Sequence, residues 1–74
     1  MKKFKVILHV NRENKDKVVF ECDDNKSANG FIANVTRYLE PFEYGFHDDE
    51  DMGQYYILNG KKMIYESKSY EIPR

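Results

Sequence analysis

Apolar and polar positions alternate at the start of the chain. Phe4, Val6, Leu8 and Val10 are interleaved with Lys5, Ile7 and His9, the period of two that turns one side of a strand toward a core. Asn11 to Lys17 is polar throughout and reads as a loop. Val18, Phe20 and Cys22 then alternate with Val19 and Glu21, giving a second strand that forms an antiparallel hairpin with the first. Asp23-Asp24-Asn25 offers turn and N-cap chemistry, with Ser27 as a second cap candidate. From there the period changes. Ala28, Phe31, Ile32, Val35, Tyr38 and Leu39 fall at helical spacing on one stripe. Pro41 lacks a donor N–H and disfavours a helical residue before it, so the pattern predicts a helix over residues 26–39.

Residues 40–53 read as a long connection, aromatic in its first half and acidic in its second. Gln54 to Leu58 is a third predicted strand and Lys61 to Ser67 a fourth. Asn59-Gly60 between them predicts a two-residue type I′ turn, which needs positive φ at both central positions. That turn sets Leu58 opposite Lys61, Tyr56 opposite Met63 and Gln54 opposite Tyr65 on one side. Ile57 meets Lys62, and Tyr55 meets Ile64, on the other. The tail from Lys68 to Arg74 is either a frayed terminus or a fifth edge segment. The predicted class is α+β in the order β-β-α-β-β, an antiparallel four-stranded sheet with one helix on one face, in a single small domain over residues 1–74.

Composition limits the function. Seventy-four residues, 41% hydrophobic and 34% charged, describe a globular chain with a thin core. A net charge of -1 weighs against a strongly basic nucleic-acid binder. The charge is unevenly spread: residues 1–17 sum to +4, residues 18–53 to -7 and residues 54–74 to +2. Basic termini that neutralise an acidic middle account for this more simply than a steering field. One cysteine, Cys22, excludes an internal disulfide. One cysteine and two histidines cannot fill a four-ligand zinc site without carboxylates, and no metal or cofactor is expected. The apolar run Val6-Ile7-Leu8 is far short of a signal core or membrane span. The expected location is cytoplasmic, and no membrane partner is expected.

No catalytic constellation emerges. Cys22 sits at an inward strand position and His9 on the other face. Ser27, Ser67 and Ser69 lack a nucleophile-elbow context. Lys26, Gly30, Ala33 and Arg37 lie opposite the helical stripe; they read as a solvated face before they read as a phosphate approach. The acidic run lacks the ligand spacing and glycine of a calcium loop.

One helix cannot cover both faces of a four-stranded sheet. With Phe4, Val6, Leu8, Val18 and Phe20 toward the helix, the other face shows Lys5, Ile7, His9, Val19 and Glu21. One choice of hairpin side adds Tyr55, Ile57, Lys62 and Ile64 to it. Apolar surface of this kind marks an interface, unless the 40–53 connection and the tail fold over it. The expected function is therefore a non-catalytic protein-interaction or regulatory module of adaptor, inhibitor or accessory type, including the accessory proteins of mobile elements. Its expected contacts are Ile7, Tyr55, Ile57 and Ile64 on the open face, and Phe42, Tyr44, Phe46, Asp48, Asp49, Glu50 and Asp51 in the connection. Four carboxylates beside three aromatics suit a basic site on a protein partner. A second copy of the chain is one candidate partner, since two-fold homodimers are the commonest assembly. The alternative is a weak single-stranded nucleic-acid binder using Lys5, Tyr55 and Lys62, with bases stacked on exposed aromatics. The sequence shows nothing like the aromatic motif of RNA-binding sheets of the RRM class, and nucleic acid is the less favoured partner.

Overall fold

The computed structural model describes residues 2–39, 41–42 and 52–72. The chain runs β1 (Phe4–Val10), β2 (Lys15–Cys22), α1 (Asn25–Val35), β3 (Pro41–Phe42), β4 (Met52–Asn59), β5 (Lys62–Glu66) and β6 (Ser69–Glu71). The expected α+β class and β-β-α-β-β framework are present, with β3 and β6 as short additions. Each described strand pair is antiparallel. β1 lies between β2 and β4. The far side of β4 is shared, by β5 along Tyr56–Asn59 and by β6 along Met52 and Gly53, and β3 adds to β6.

The first hairpin is tighter than its polar sequence suggests. Lys15, Asp16 and Lys17 belong to β2 and pair with Val10, His9 and Leu8, so the expected seven-residue loop shrinks to Asn11–Asn14. Backbone N–H groups of Glu13 and Asn14 donate to Val10 O at 3.1 and 3.0 Å. Asn14 adopts φ +49°, a left-handed conformation that asparagine tolerates well. Lys17 Nζ meets Glu13 Oε2 at 2.6 Å across this turn, and that hydrogen bond holds the Glu13 carboxyl below its ordinary pKa.

β2 carries a bulge. Val6 pairs with Phe20 and Ile7 with Val18, which leaves Val19 as the extra residue. Strict alternation would put Val18 with Phe20 on the helix side. The bulge reverses that expectation: Val19 packs against the core cluster, and Val18 is 54% exposed on the other face.

Helix α1 starts at the expected place. Asp24 is extended (φ -137°, ψ 154°), and its Oδ1 accepts the Ser27 N–H at 2.6 Å. This N-cap satisfies one of the donors left unpaired in a first turn, and it draws the Asp24 carboxyl below its usual pKa. The helix stops at Val35, short of the expected residue 39. Thr36 is the C-cap, and its Oγ1 donates back to Ile32 O at 2.7 Å. Beyond it the bonds shorten to the three-residue spacing, Arg37 N–H to Asn34 O and Leu39 N–H to Thr36 O, the usual way a last turn unwinds. Tyr38 therefore leaves the stripe and is 86% exposed, correcting its expected inward place.

The second hairpin is displaced by one residue from its expected turn. Asn59 pairs with Lys62 and Leu58 with Met63, so the loop is Gly60-Lys61. Gly60 has φ +65° and Lys61 has no positive φ, the pattern of a type II′ turn with glycine first, not type I′. A second bulge follows. Ile57 pairs with Tyr65 and Leu58 with Met63, which leaves Ile64 unpaired. The expected pairs Leu58–Lys61, Tyr56–Met63, Gln54–Tyr65, Ile57–Lys62 and Tyr55–Ile64 are all replaced.

Ser67 joins β5 to β6 along one edge of β4. Its N–H donates to Tyr55 O at 2.9 Å, and its Oγ accepts the Tyr55 N–H at 2.9 Å. The hydroxyl thus fills a ladder position where the chain changes strand, and it is the buried polar side chain of the described core at 4% exposure. The tail pairs as β6, which decides for the extra strand over the frayed terminus. Gly53 permits this close approach: a Cβ there would lie 2.7 Å from His9 O and 2.8 Å from Ile72 Cγ1.

The core lies between the sheet and α1. Val6, Cys22, Ala28, Ile32, Tyr55 and Ile57 form it, with Phe4, Leu8, Val19, Phe20, Phe31, Val35 and Tyr70 packed around. Phe20 and Phe31 stack with ring centroids 4.6 Å apart and planes 2° from parallel. At eleven residues, α1 is only about 16 Å long and covers one side.

Candidate functional site

The strand registers assign the other side of the sheet. Lys5, Ile7 and His9 of β1 stand beside Glu21, Val18 and Asp16 of β2, and beside Leu58, Tyr56 and Gln54 of β4. Met63 and Glu66 of β5 extend the Leu58 and Tyr56 rows. Between them lies a hollow of about 520 Å³ lined by Ile7, His9, Asp16, Val18, Tyr56, Leu58 and Met63. Its floor and sides are aliphatic: Ile7 is almost covered, while Val18 and Met63 stand at its two margins, 54% and 51% exposed. This size and lining are those of surfaces that accept a ligand group or an anchoring side chain.

The polar atoms collect at one end. His9 Nδ1 and Asp16 Oδ1 are 2.8 Å apart. The Tyr56 hydroxyl donates to Gln54 Oε1 at 2.9 Å. Gln54 Nε2 donates to Glu66 Oε1 and to Ser67 O, each at 3.2 Å. Burial first, then the Glu66 and Asp16 carboxylates, push the Tyr56 phenol above its ordinary pKa. At the opposite end Lys5 Nζ and Glu21 Oε1 are 3.9 Å apart, both half-exposed. The lining holds no serine, threonine or cysteine to serve as a nucleophile beside the His9–Asp16 pair.

The expected contact residues divide. Ile7 lies in the hollow, as expected of the open face. Tyr55 and Ile57 do not: they are 7% and 0% exposed in the helix-side core. Burial, with Tyr70 beside it, raises the Tyr55 phenol. Ile64 is the bulged residue of β5, 39% exposed and away from the hollow's lining. The nucleic-acid trio also separates, with Lys5 on the open face, Tyr55 in the core, and Lys62 paired with Asn59 beside Phe4 on the helix side. Tyr44, Phe46, Asp48, Asp49, Glu50 and Asp51 lie outside the described residues; Phe42 is described only as backbone, in β3. Lys26, Gly30 and Ala33 of α1 are exposed, as is Arg37 in the turn that follows it. Among the described residues no group of three or more His, Cys, Asp or Glu side chains is placed to hold a metal ion, and no helix is long and apolar enough to cross a membrane.

Alternation alone missed Asp16, Val18, Tyr56, Leu58 and Met63. A signal was present: Tyr55-Tyr56-Ile57-Leu58 and Val18-Val19-Phe20 are unbroken apolar runs, the mark of strands that offer apolar groups to both faces. No family model, curated protein or solved structure matches this chain.

Proposed function

We propose that this chain is a non-catalytic protein-interaction module that docks a partner on the open face of its sheet. The observation that carries the reading is the aliphatic hollow on the side away from α1, with Val18 and Met63 more than half exposed at its margins. A small domain that leaves apolar side chains grouped in water loses the stabilisation their burial would give, and a partner recovers it. The sheet edges favour face docking over strand addition. Two of the edge strands, β2 and β5, carry a bulge and begin with lysine, features that oppose pairing with another chain. In this reading the acidic-aromatic sequence from Phe42 to Asp51 is a second contact, on its composition alone.

Site-directed photo-crosslinking in cells tests the reading. A photoreactive residue at position 18 or 63 is expected to trap a discrete protein adduct. The same residue at position 33, on the solvated side of α1, is expected to trap none. Identical adducts from all three positions, or none from 18 and 63, would remove the open face as the docking surface.

A further inference from the structure

We infer that the hollow is built for a basic-apolar segment of a partner protein, with an apolar side chain between Ile7, Val18, Leu58 and Met63 and a lysine or arginine at the Asp16–Tyr56–Glu66 end. The inference rests on the open face being the docking surface and adds the chemistry of what docks there.

The hydrogen-bond inventory of that end decides the sign. A carboxylate is acceptor-only, so the 2.8 Å contact of Asp16 Oδ1 with His9 Nδ1 requires Nδ1–H as donor. Tyr56 spends its single O–H on Gln54 Oε1 and keeps only lone pairs. Gln54 Nε2 directs its N–H groups to Glu66 and the Ser67 carbonyl. The Tyr56 and Gln54 donors and His9 Nδ1–H are thus consumed within the network. What it presents outward is the Asp16 and Glu66 carboxylates and the Tyr56 oxygen, all acceptors.

An ammonium or guanidinium, with three or five N–H donors and no acceptor, matches this set. A carboxylate or phosphate does not, which also separates this surface from a nucleic-acid platform. Burial is the main cause of the raised Tyr56 phenol, and the Glu66 and Asp16 carboxylates add to it. The cation of β1 on this face, Lys5, is drawn to Glu21 at the far end of the hollow. Aliphatic hollow and acceptor end are contiguous, so one short segment reaches both.

Two synthetic peptides titrated into the isotope-labelled full chain test this by NMR: one carries a leucine flanked by lysines, the other the same leucine flanked by glutamates. The lysine peptide is expected to shift the amides of Ile7, Val18, Tyr56 and Leu58, and to weaken as salt is raised. The double variant Asp16→Asn, Glu66→Gln, whose unperturbed spectrum certifies its fold, is expected to bind it about tenfold more weakly. Equal binding of the glutamate peptide at the hollow would overturn the charge assignment while leaving the docking face intact. Shifts elsewhere, or none with either peptide, would overturn the inference, and the crosslinking experiment then decides separately whether the face docks anything. Shifts at the hollow that grow with the concentration of the chain alone would make a second copy the occupant and overturn the basic segment.

Discussion

Val6 and Ile57 on one face of the sheet have no exposed surface, while their chain neighbours Ile7 and Leu58 on the other line a hollow open to water. The same strands make both surfaces, from residues one position apart. The helix side has Ala28 and Ile32 pressed on it and an aromatic stack at its margin. The open side has cross-strand polar pairs at its two ends and half-exposed aliphatics between them. The contrast teaches that apolar character alone does not mark the core of so small a domain. One eleven-residue helix closes one layer, and Val18 and Met63 on the second apolar surface stay more than half exposed.

The largest expected effect separates the faces directly. Ile57→Ala should cost about 2–5 kcal/mol, because a fully covered side chain leaves a cavity, whereas Val18→Lys or Met63→Lys should change stability by no more than about 0.5 kcal/mol. Urea unfolding of the three variants checks this, and comparable losses would dissolve the distinction between the faces. Gly53→Ala should cost about 1–3 kcal/mol, since the new Cβ must displace the His9 carbonyl or Ile72. Thermal unfolding measures it, and a neutral result would mean that β4 and β6 are not so closely joined.

Ser67→Ala should cost about 1–2 kcal/mol by leaving the Tyr55 N–H without its partner. Hydrogen exchange at Tyr55 should rise with it. The smallest effect concerns the cap of the helix that makes the faces differ. The folded Asp24 carboxyl lies below its unfolded pKa, with the Ser27 N–H as the main cause. Its stabilisation is therefore full above the unfolded value and is lost as pH falls through the folded one. Asp24→Asn keeps a capping oxygen without the titration, so it should leave the neutral-pH melting temperature almost unchanged and flatten its decline in acid. An unchanged acid decline would assign that loss to other carboxylates.

Local pattern was enough for the elements that depend on neighbours in sequence. Period-two alternation located β1, the Asp24 cap located the start of α1, and the Asn59-Gly60 signal located the second hairpin to within one residue. It was not enough for facing. Val18 and Val19 exchange sides because a bulge consumes one residue. Tyr55 and Tyr56 are adjacent members of an apolar run that alternation cannot orient, and only the glycine-first turn and the pairing with β1 send Tyr55 inward and Tyr56 out. Lys15, Asp16 and Lys17 are polar enough to read as loop, yet β1 needs partners for Leu8, His9 and Val10, and ladder hydrogen bonds outweigh a weak strand propensity.

The candidate site was legible only as an argument about coverage: one helix, two apolar faces. Its members were not, apart from Ile7 and His9, because the hollow is assembled from four strands whose registers are set by two bulges and a turn. The sequence by itself determined the α+β class, the order of the main elements and the presence of more apolar strand surface than one helix can cover, since these follow from local periodicity and length. The tertiary structure alone decided which apolar residues that helix takes, because a one-residue shift in pairing carries a side chain from the core to water.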